Sequence, residues 1–312
     1  MTNQPFLQEV ENDSGLNNLK STQDWLKENK IFIELKLEEH GAIIFKDLPV
    51  KTAEDFDQFV STFNYDTFTY EESLSNAVRI NKTDKVFTAN EAPREVEIFL
   101  HHEMAQTPTY PKNIFFFCKS ASETGGETPL CRSDQLYEAL LKADKALVES
   151  FEKFGVIYNS IMSSVDELIS GQGRSWQKTL GVSSKNDAEA KLSKLGYSWN
   201  WIEDDNLSVT TNTLQATKEL GNGQKSFFNQ VIAASLGWKK NSENQIAPVR
   251  FGNGEEIKES YIELISELAQ SLTLLRSWQD HDILLIDNYR VMHGRKPFSG
   301  NKNREVLVSL TN

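Results

Sequence analysis

Apolar positions along the chain come in two kinds, short unbroken runs and stripes spaced at three and four residues. Gly41-Ala-Ile-Ile-Phe-Lys46 is of the first kind and predicts a strand. Thr52-Ala-Glu-Asp55 then has the form of a capping box and opens a helix with Phe56, Phe59, Val60 and Phe63 on one face. Residues 96–100 and 113–119 predict strands joined by a polar, proline-containing connection. Ser133 opens a second helix with Leu136, Tyr137, Leu140 and Leu141 as its apolar face. The longest helical stripe, 255–278, carries Ile257, Tyr261, Ile265, Leu268 and Leu272. Residues 283–286 and 305–310 close the chain as strands. Residues 1–20 read as a loosely held arm, and residues 160–225, polar and irregular, as an insertion that is a candidate lid. Strands scattered among helices at long intervals suit a β-sandwich or barrel decorated by helices better than a regular βαβ alternation. The expectation is a mainly β fold, one domain over residues 21–312.

Composition narrows the class. Hydrophobic residues at 38% supply a core, and charged residues at 25% with a mean hydropathy of −0.49 indicate a globular, water-soluble chain. The apolar runs at 113–118 and 282–287 are strand-sized and too short to span a bilayer. The net charge, 33 − 45 = −12, argues against a nucleic-acid partner and against an anionic membrane. The first 20 residues have neither the basic nor the apolar region of a secretion signal, so a cytoplasmic location is expected. Cys118 and Cys131 then read as reduced thiols.

Candidate chemistry sits on the histidines. There are five: His40, His101, His102, His281 and His293. His101-His102-Glu103 follows a predicted strand, and in extended chain His101 and Glu103 point to one face while His102 points away. Two imidazoles and a carboxylate make the facial triad that holds iron(II) and leaves the opposite positions open. His293 is the candidate second imidazole. Arg304 follows eleven residues later, across a loop with Pro297 and Gly300 that suits a hairpin. Its guanidinium there can grip a carboxylate, as 2-oxoglutarate requires when its keto-acid end is on the metal. Taken singly, an H-x-E triplet is common by chance, a strand histidine usually belongs to the core, and an arginine to the surface. The conjunction is what points to metal chemistry.

At this point the chain resembles a known family. His101-His-Glu-Met104, Pro111-Lys-Asn-Ile-Phe-Phe-Phe-Cys118, Glu123-Thr-Gly-Gly-Glu-Thr-Pro129, the segment Val86-Phe-Thr-Ala-Asn-Glu-Ala-Pro93 and the terminal His293-Gly-Arg with Arg304 are similar to the taurine dioxygenase/TfdA (clavaminate synthase-like) superfamily. Gly173-Arg-Ser-Trp-Gln177 and Phe228-Asn-Gln230 resemble the syringomycin-pathway-type amino acid hydroxylases within it. The resemblance implies a double-stranded β-helix (jelly-roll) with helical insertions, iron(II) on His101, Glu103 and His293, and 2-oxoglutarate and O2 as co-substrates. It implies Arg304 and the Thr128 hydroxyl on the distal carboxylate of 2-oxoglutarate. The expected activity is hydroxylation of an unactivated C–H bond of a small molecule, an amino acid or a carrier-bound aminoacyl group. The same iron chemistry could give desaturation or cyclisation instead.

Two departures sharpen this. Position 103 is Glu where many members have Asp; being a carboxylate, it leaves no vacancy for chloride and favours hydroxylation over halogenation. Taurine enzymes carry a second arginine four residues after the first, where Val308 stands here, which argues against a sulfonate substrate. Asn90, Glu91, Asn229 and Arg295 are candidate substrate contacts, with ordinary loop polarity as the competing explanation. A zinc hydrolase on the same three ligands gives Arg304 and Thr128 no role. A non-catalytic jelly-roll binding protein would have lost a triad residue, and all three are present. A serine or cysteine nucleophile lacks any supporting motif.

Overall fold

The computed structural model describes residues 6–68, 74–75, 77, 79–167, 173–221, 223–238 and 246–312. Two runs with no polar side chain, 114–118 and 283–286, must be buried on both faces, and that demand organises the fold. The strands that contain them, Asn113–Ser120 and Ile283–Asp287, pair antiparallel in the middle of a seven-stranded sheet. Ala42–Phe45 and Gln8–Val10 extend it on one side, and Glu305–Thr311 on the other, the last pairing with Thr67–Phe68 and Phe87–Thr88. Alternation divides the side chains. Ile114, Phe116, Cys118, Leu284 and Ile286 face inward with Leu130 and Val291 of a second sheet. Phe115, Phe117, Ile283 and Leu285 face outward, onto Leu26 and Ile33 of helix Leu19–His40 and Phe56 and Phe59 of helix Ala53–Ser61.

The second sheet has four antiparallel strands in the order Thr273–Arg276, Thr128–Arg132, Val291–Arg295 and Ile98–His101. Cys131 and Met292 on its far face pack against helices Ser133–Ala143, Lys145–Phe154, Val231–Gly237 and Glu259–Ser271. The result is a jelly-roll of two facing sheets with helices on both outer surfaces. Both cysteines are buried and free. Among the described residues no helix is long and apolar enough to cross a membrane.

Several sequence expectations need correcting. The longest helix is Leu19–His40, at 22 residues, opened by an Asn18–Ser21 capping box; with only Leu26, Ile33 and Leu37 as its buried apolar positions, its stripe was too thin to read. Gln8–Val10, inside the stretch read as an arm, pairs parallel with Ala42–Phe45; residues 1–5 lie outside the described residues. The helical stripe at 255–278 stops at Ser271, because Thr273–Arg276 is taken as a sheet edge by Thr128–Arg132. The tertiary ladder overrides the local helical pattern there. Residues 160–225 are regular in part: helices Trp176–Leu180 and Lys185–Leu195 and strands Ser198–Trp201 and Leu207–Thr210 share a small core of their own. Residues 168–172 and 222 of that stretch lie outside the described residues. Finally, His293 and Arg304 are not joined by a hairpin. Val291–Arg295 lies in the four-stranded sheet and Glu305–Thr311 in the seven-stranded one, so the intervening loop crosses between sheets.

Candidate metal and co-substrate site

His101 ends its strand directly opposite His293, and the two imidazole centroids are 4.4 Å apart. A bulge separates this pair from the next, Arg295 opposite Ile98. Gly294 lies in the bulge, and a Cβ there would meet the Ile98 carbonyl oxygen at 2.4 Å, so the close strand approach needs glycine. Glu103 is past the strand end, where the chain turns through Met104 at φ 59°. The extended geometry expected for the triplet therefore fails beyond His101, yet the carboxylate turns back to both histidines. Its Oε2 lies 3.9 Å from His101 Nε2 and 3.5 Å from His293 Nε2. One donor atom from each of the three residues falls within 4.8 Å of the others.

The backbone around the triplet is clamped. Glu103 N–H donates to Asn288 Oδ1 (2.8 Å), while Asn288 Nδ2 donates to the carbonyls of Glu103 (3.1 Å) and Pro111 (2.8 Å). Gln230 Nε2 donates to the His102 carbonyl at 2.8 Å. His102 turns away from the other two imidazoles, its Nδ1 against the Asn288 carbonyl and its ring against Phe228. His101 Nδ1 is 2.8 Å from the Phe99 carbonyl, which makes Nδ1 the protonated nitrogen and leaves the Nε2 lone pair for the cluster.

Electrostatics suits a cation. Burial, reinforced by repulsion from His293, lowers His101 to about 4, so its imidazole is neutral at pH 7. Burial raises Glu103, but Arg79 with the two histidines outweighs it and holds the carboxyl below its ordinary range. Arg79 Nη2 is 3.3 Å from Glu103 Oε1. Two imidazoles and a fixed carboxylate are a donor set that fits iron(II).

Arg304 and Thr128 line the same cavity as these three residues, with Phe116 and Val306 as apolar wall. Arg304 donates from Nη2 to the Gly126 carbonyl (3.2 Å), lies 5.3 Å from the Phe298 ring centroid, and has a buried Nε with no hydrogen-bond partner. Gly126 (φ 75°) makes room for it, since a Cβ would lie 2.9 Å from Arg304 Nε. Thr128 Oγ1 accepts from Trp278 Nε1 at 2.9 Å, which leaves the Thr128 hydroxyl proton to be donated elsewhere. A half-buried guanidinium with a buried Nε in reserve and a hydroxyl proton in the same cavity fit a dicarboxylate co-substrate.

The four candidate substrate contacts divide. Asn90 and Arg295 line the cavity. Arg295 also donates to four carbonyls, of Asn90, Ala92, Pro93 and Val96, and so fixes the 90–96 loop. Asn229 lies away from the cavity wall, its amide bonded to the Ala216 carbonyl and the Val231 N–H; Glu91 is exposed. Sequence reasoning missed Arg79, Asn288 and Trp278. Each acts by direct contact with a site residue distant in sequence, and no local pattern carries that.

The chain is similar along most of its length to several known proteins. Residues 7–310 match the family described as taurine catabolism dioxygenase TauD, TfdA family. A clavaminate synthase-like protein of Arabidopsis thaliana is 33% identical over 91% of this chain and 86% of its own length. The dapdiamide synthesis protein DdaC of Enterobacter agglomerans is 27% identical over 88% of this chain and 83% of its own. Among solved structures, the PvcB protein of Pseudomonas aeruginosa superposes with a TM-score of 0.55 at 12% identity, over 99% of this chain and 87% of that one. AAD-2 in complex with Mn(II) and N-oxalylglycine superposes at 0.51 and 15%, over 98% and 94%. These structural likenesses speak to the jelly-roll alone, whereas the match along nearly the whole sequence decides the kinship: the chain belongs to the TauD, TfdA family of iron(II)- and 2-oxoglutarate-dependent dioxygenases.

Proposed function

We propose that the chain hydroxylates an unactivated C–H bond of a small molecule, an amino acid or a carrier-bound aminoacyl group, using iron(II) on His101, Glu103 and His293. The observation that carries this reading is the convergence of those three donors, within 4.8 Å, in a cavity that also contains Arg304 and Thr128. Held there, iron(II) would activate O2, the oxidant for both 2-oxoglutarate, which would leave as succinate and CO2, and the substrate C–H bond. Arg304 neutralises the distal carboxylate of the co-substrate and Thr128 adds a hydroxyl hydrogen bond, fixing its reach to the metal. Phe116 and Val306 keep that end of the cavity dry.

For the substrate, support comes from three sides. Val308 is fully buried in the inter-sheet core and offers no charge to a sulfonate. Asn90, whose Oδ1 accepts from the Ala92 N–H within the loop that Arg295 holds, lines the cavity with a polar residue. One relative is named for dapdiamide synthesis. The 160–225 segment is proposed as the lid. Desaturation or cyclisation would draw on the same residues, and the acidic surface with unpaired thiols suits the cytoplasm. The test is a panel of amino acids, free and carrier-loaded, scored for succinate release above the substrate-free rate. Release coupled to a product 16 mass units heavier supports hydroxylation. A product two mass units lighter shifts the reading to desaturation or cyclisation, and no coupling across both forms removes the amino acid class.

A further inference from the structure

We infer that Arg79 is a positioning residue that keeps Glu103 bound to the metal through one oxygen. This rests on the metal-site reading above. The two carboxylate oxygens of Glu103 face different partners: Oε2 faces the histidine nitrogens at 3.5 and 3.9 Å, and Oε1 faces Arg79 Nη2 at 3.3 Å. Both side chains of that ion pair are buried, with 9% and 5% of their surfaces exposed, so water competes little for either oxygen.

The guanidinium is itself anchored. Arg79 Nη1 reaches the Thr88 carbonyl at 3.5 Å. The 80–88 segment is closed by Ile80 N–H to Thr88 Oγ1 (3.0 Å) and Thr88 N–H to the Ile80 carbonyl (2.8 Å). Thr88 pairs with Leu307 of the seven-stranded sheet. Glu103 is held from the other side, its main chain clamped by Asn288, so the place of its carboxylate is set by the side-chain torsions. Glutamate has one more torsion than aspartate, and carboxylates bind cations through one oxygen or two. With one oxygen, the protein would supply three donors, which would leave a six-coordinate ion three positions, two for a chelating co-substrate and one for O2. With two oxygens only two positions stay open, and the co-substrate fills both. An arginine on Oε1 is therefore a device for keeping the third position.

The test uses Mn(II) as a probe on the full chain, with the number of metal-bound waters read by water relaxation. Wild type should carry three, falling to one when N-oxalylglycine is added. Arg79→Gln should bind Mn(II) with two waters, falling to none with N-oxalylglycine. Arg79→Lys, which keeps a cationic donor, should restore three. A merely structural arginine would alter thermal stability without changing the water count in the folded variant. Three waters in folded Arg79→Gln would overturn the inference and leave the metal site standing. If wild type failed to bind Mn(II), the metal-site reading would fall, and this inference with it.

Discussion

The facing sheets and the 160–225 segment are built on different terms. Ile283–Asp287 and Val291–Arg295 are buried at every position, because each strand has sheet on both sides and packing on both faces. Ser198–Trp201 and Lys218–Gly221 alternate between exposed and half-buried, and the segment's own core rests on a few side chains, among them Trp176, Leu180, Leu192, Leu207 and Val209. The sheets carry His101, His293 and Thr128, and Glu103 and Arg304 lie just outside the ends of their strands. No cavity-lining residue comes from 160–225 among the described residues. The segment meets the strap that leads to Arg79 instead, through Leu74 and an Arg174 hydrogen bond to the Ser75 carbonyl (3.2 Å). The difference teaches that the chemistry depends on a fully packed frame, while a thinly packed region is left to vary around it.

Truncating one core leucine in each region probes that contrast most strongly. Leu284→Ala, between the sheets, should cost about 2–5 kcal/mol in denaturant unfolding and weaken metal binding along with it. Leu192→Ala should open the smaller core locally, with hydrogen exchange rising within 176–209 and Mn(II) affinity unchanged. Equal loss of metal affinity in both would erase the distinction. Next in size is Arg304→Gln, which removes a charged partner from the co-substrate. The KM for 2-oxoglutarate should rise roughly 10- to 150-fold, corresponding to about 1.5–3 kcal/mol, with metal affinity kept.

Acid should act on the frame through its buried imidazoles. Burial lowers His101 and His102 from 6.5 to about 4 and about 3. As pH falls below 6.5 the unfolded chain takes up protons that the folded chain refuses, so metal-free protein should lose stability from pH 6.5 down to about 4 through His101 and down to about 3 through His102. The slope is at most about 1.4 kcal/mol per pH unit for each imidazole, with none above that window. Glu103, held below its ordinary 4.5, adds to the loss once pH drops beneath that value. Urea unfolding of the apo protein at a series of pH values reads the slope. The smallest effect is expected for Thr128→Val, about 0.5–1.5 kcal/mol, seen as up to roughly tenfold in the KM for 2-oxoglutarate.

Legibility in the sequence followed burial. Asn113–Ser120 and Ile283–Asp287 could be read because two-sided burial leaves an unbroken apolar run. The Thr52–Asp55 capping box was legible because it is closed within four residues. Leu19–His40 was not, since a surface helix with three buried aliphatic positions leaves little trace. Of the site, His101 and His293 stood out as two of only five histidines in the chain, with Glu103 two residues after the first. The route that brings Arg304 beside them was misread, because loop composition cannot distinguish a hairpin from a crossing between sheets. Arg79 and Trp278 act by direct contact on residues far away in the chain, and only the three-dimensional structure identifies them.

Anaerobic addition of Fe(II) and then 2-oxoglutarate tests the three-donor centre most directly, because co-substrate chelation to the metal gives a weak visible charge-transfer band. The account predicts a band that saturates at one Fe(II) per wild-type chain and is absent from a folded His293→Ala variant. A band of undiminished intensity in that variant would contradict it.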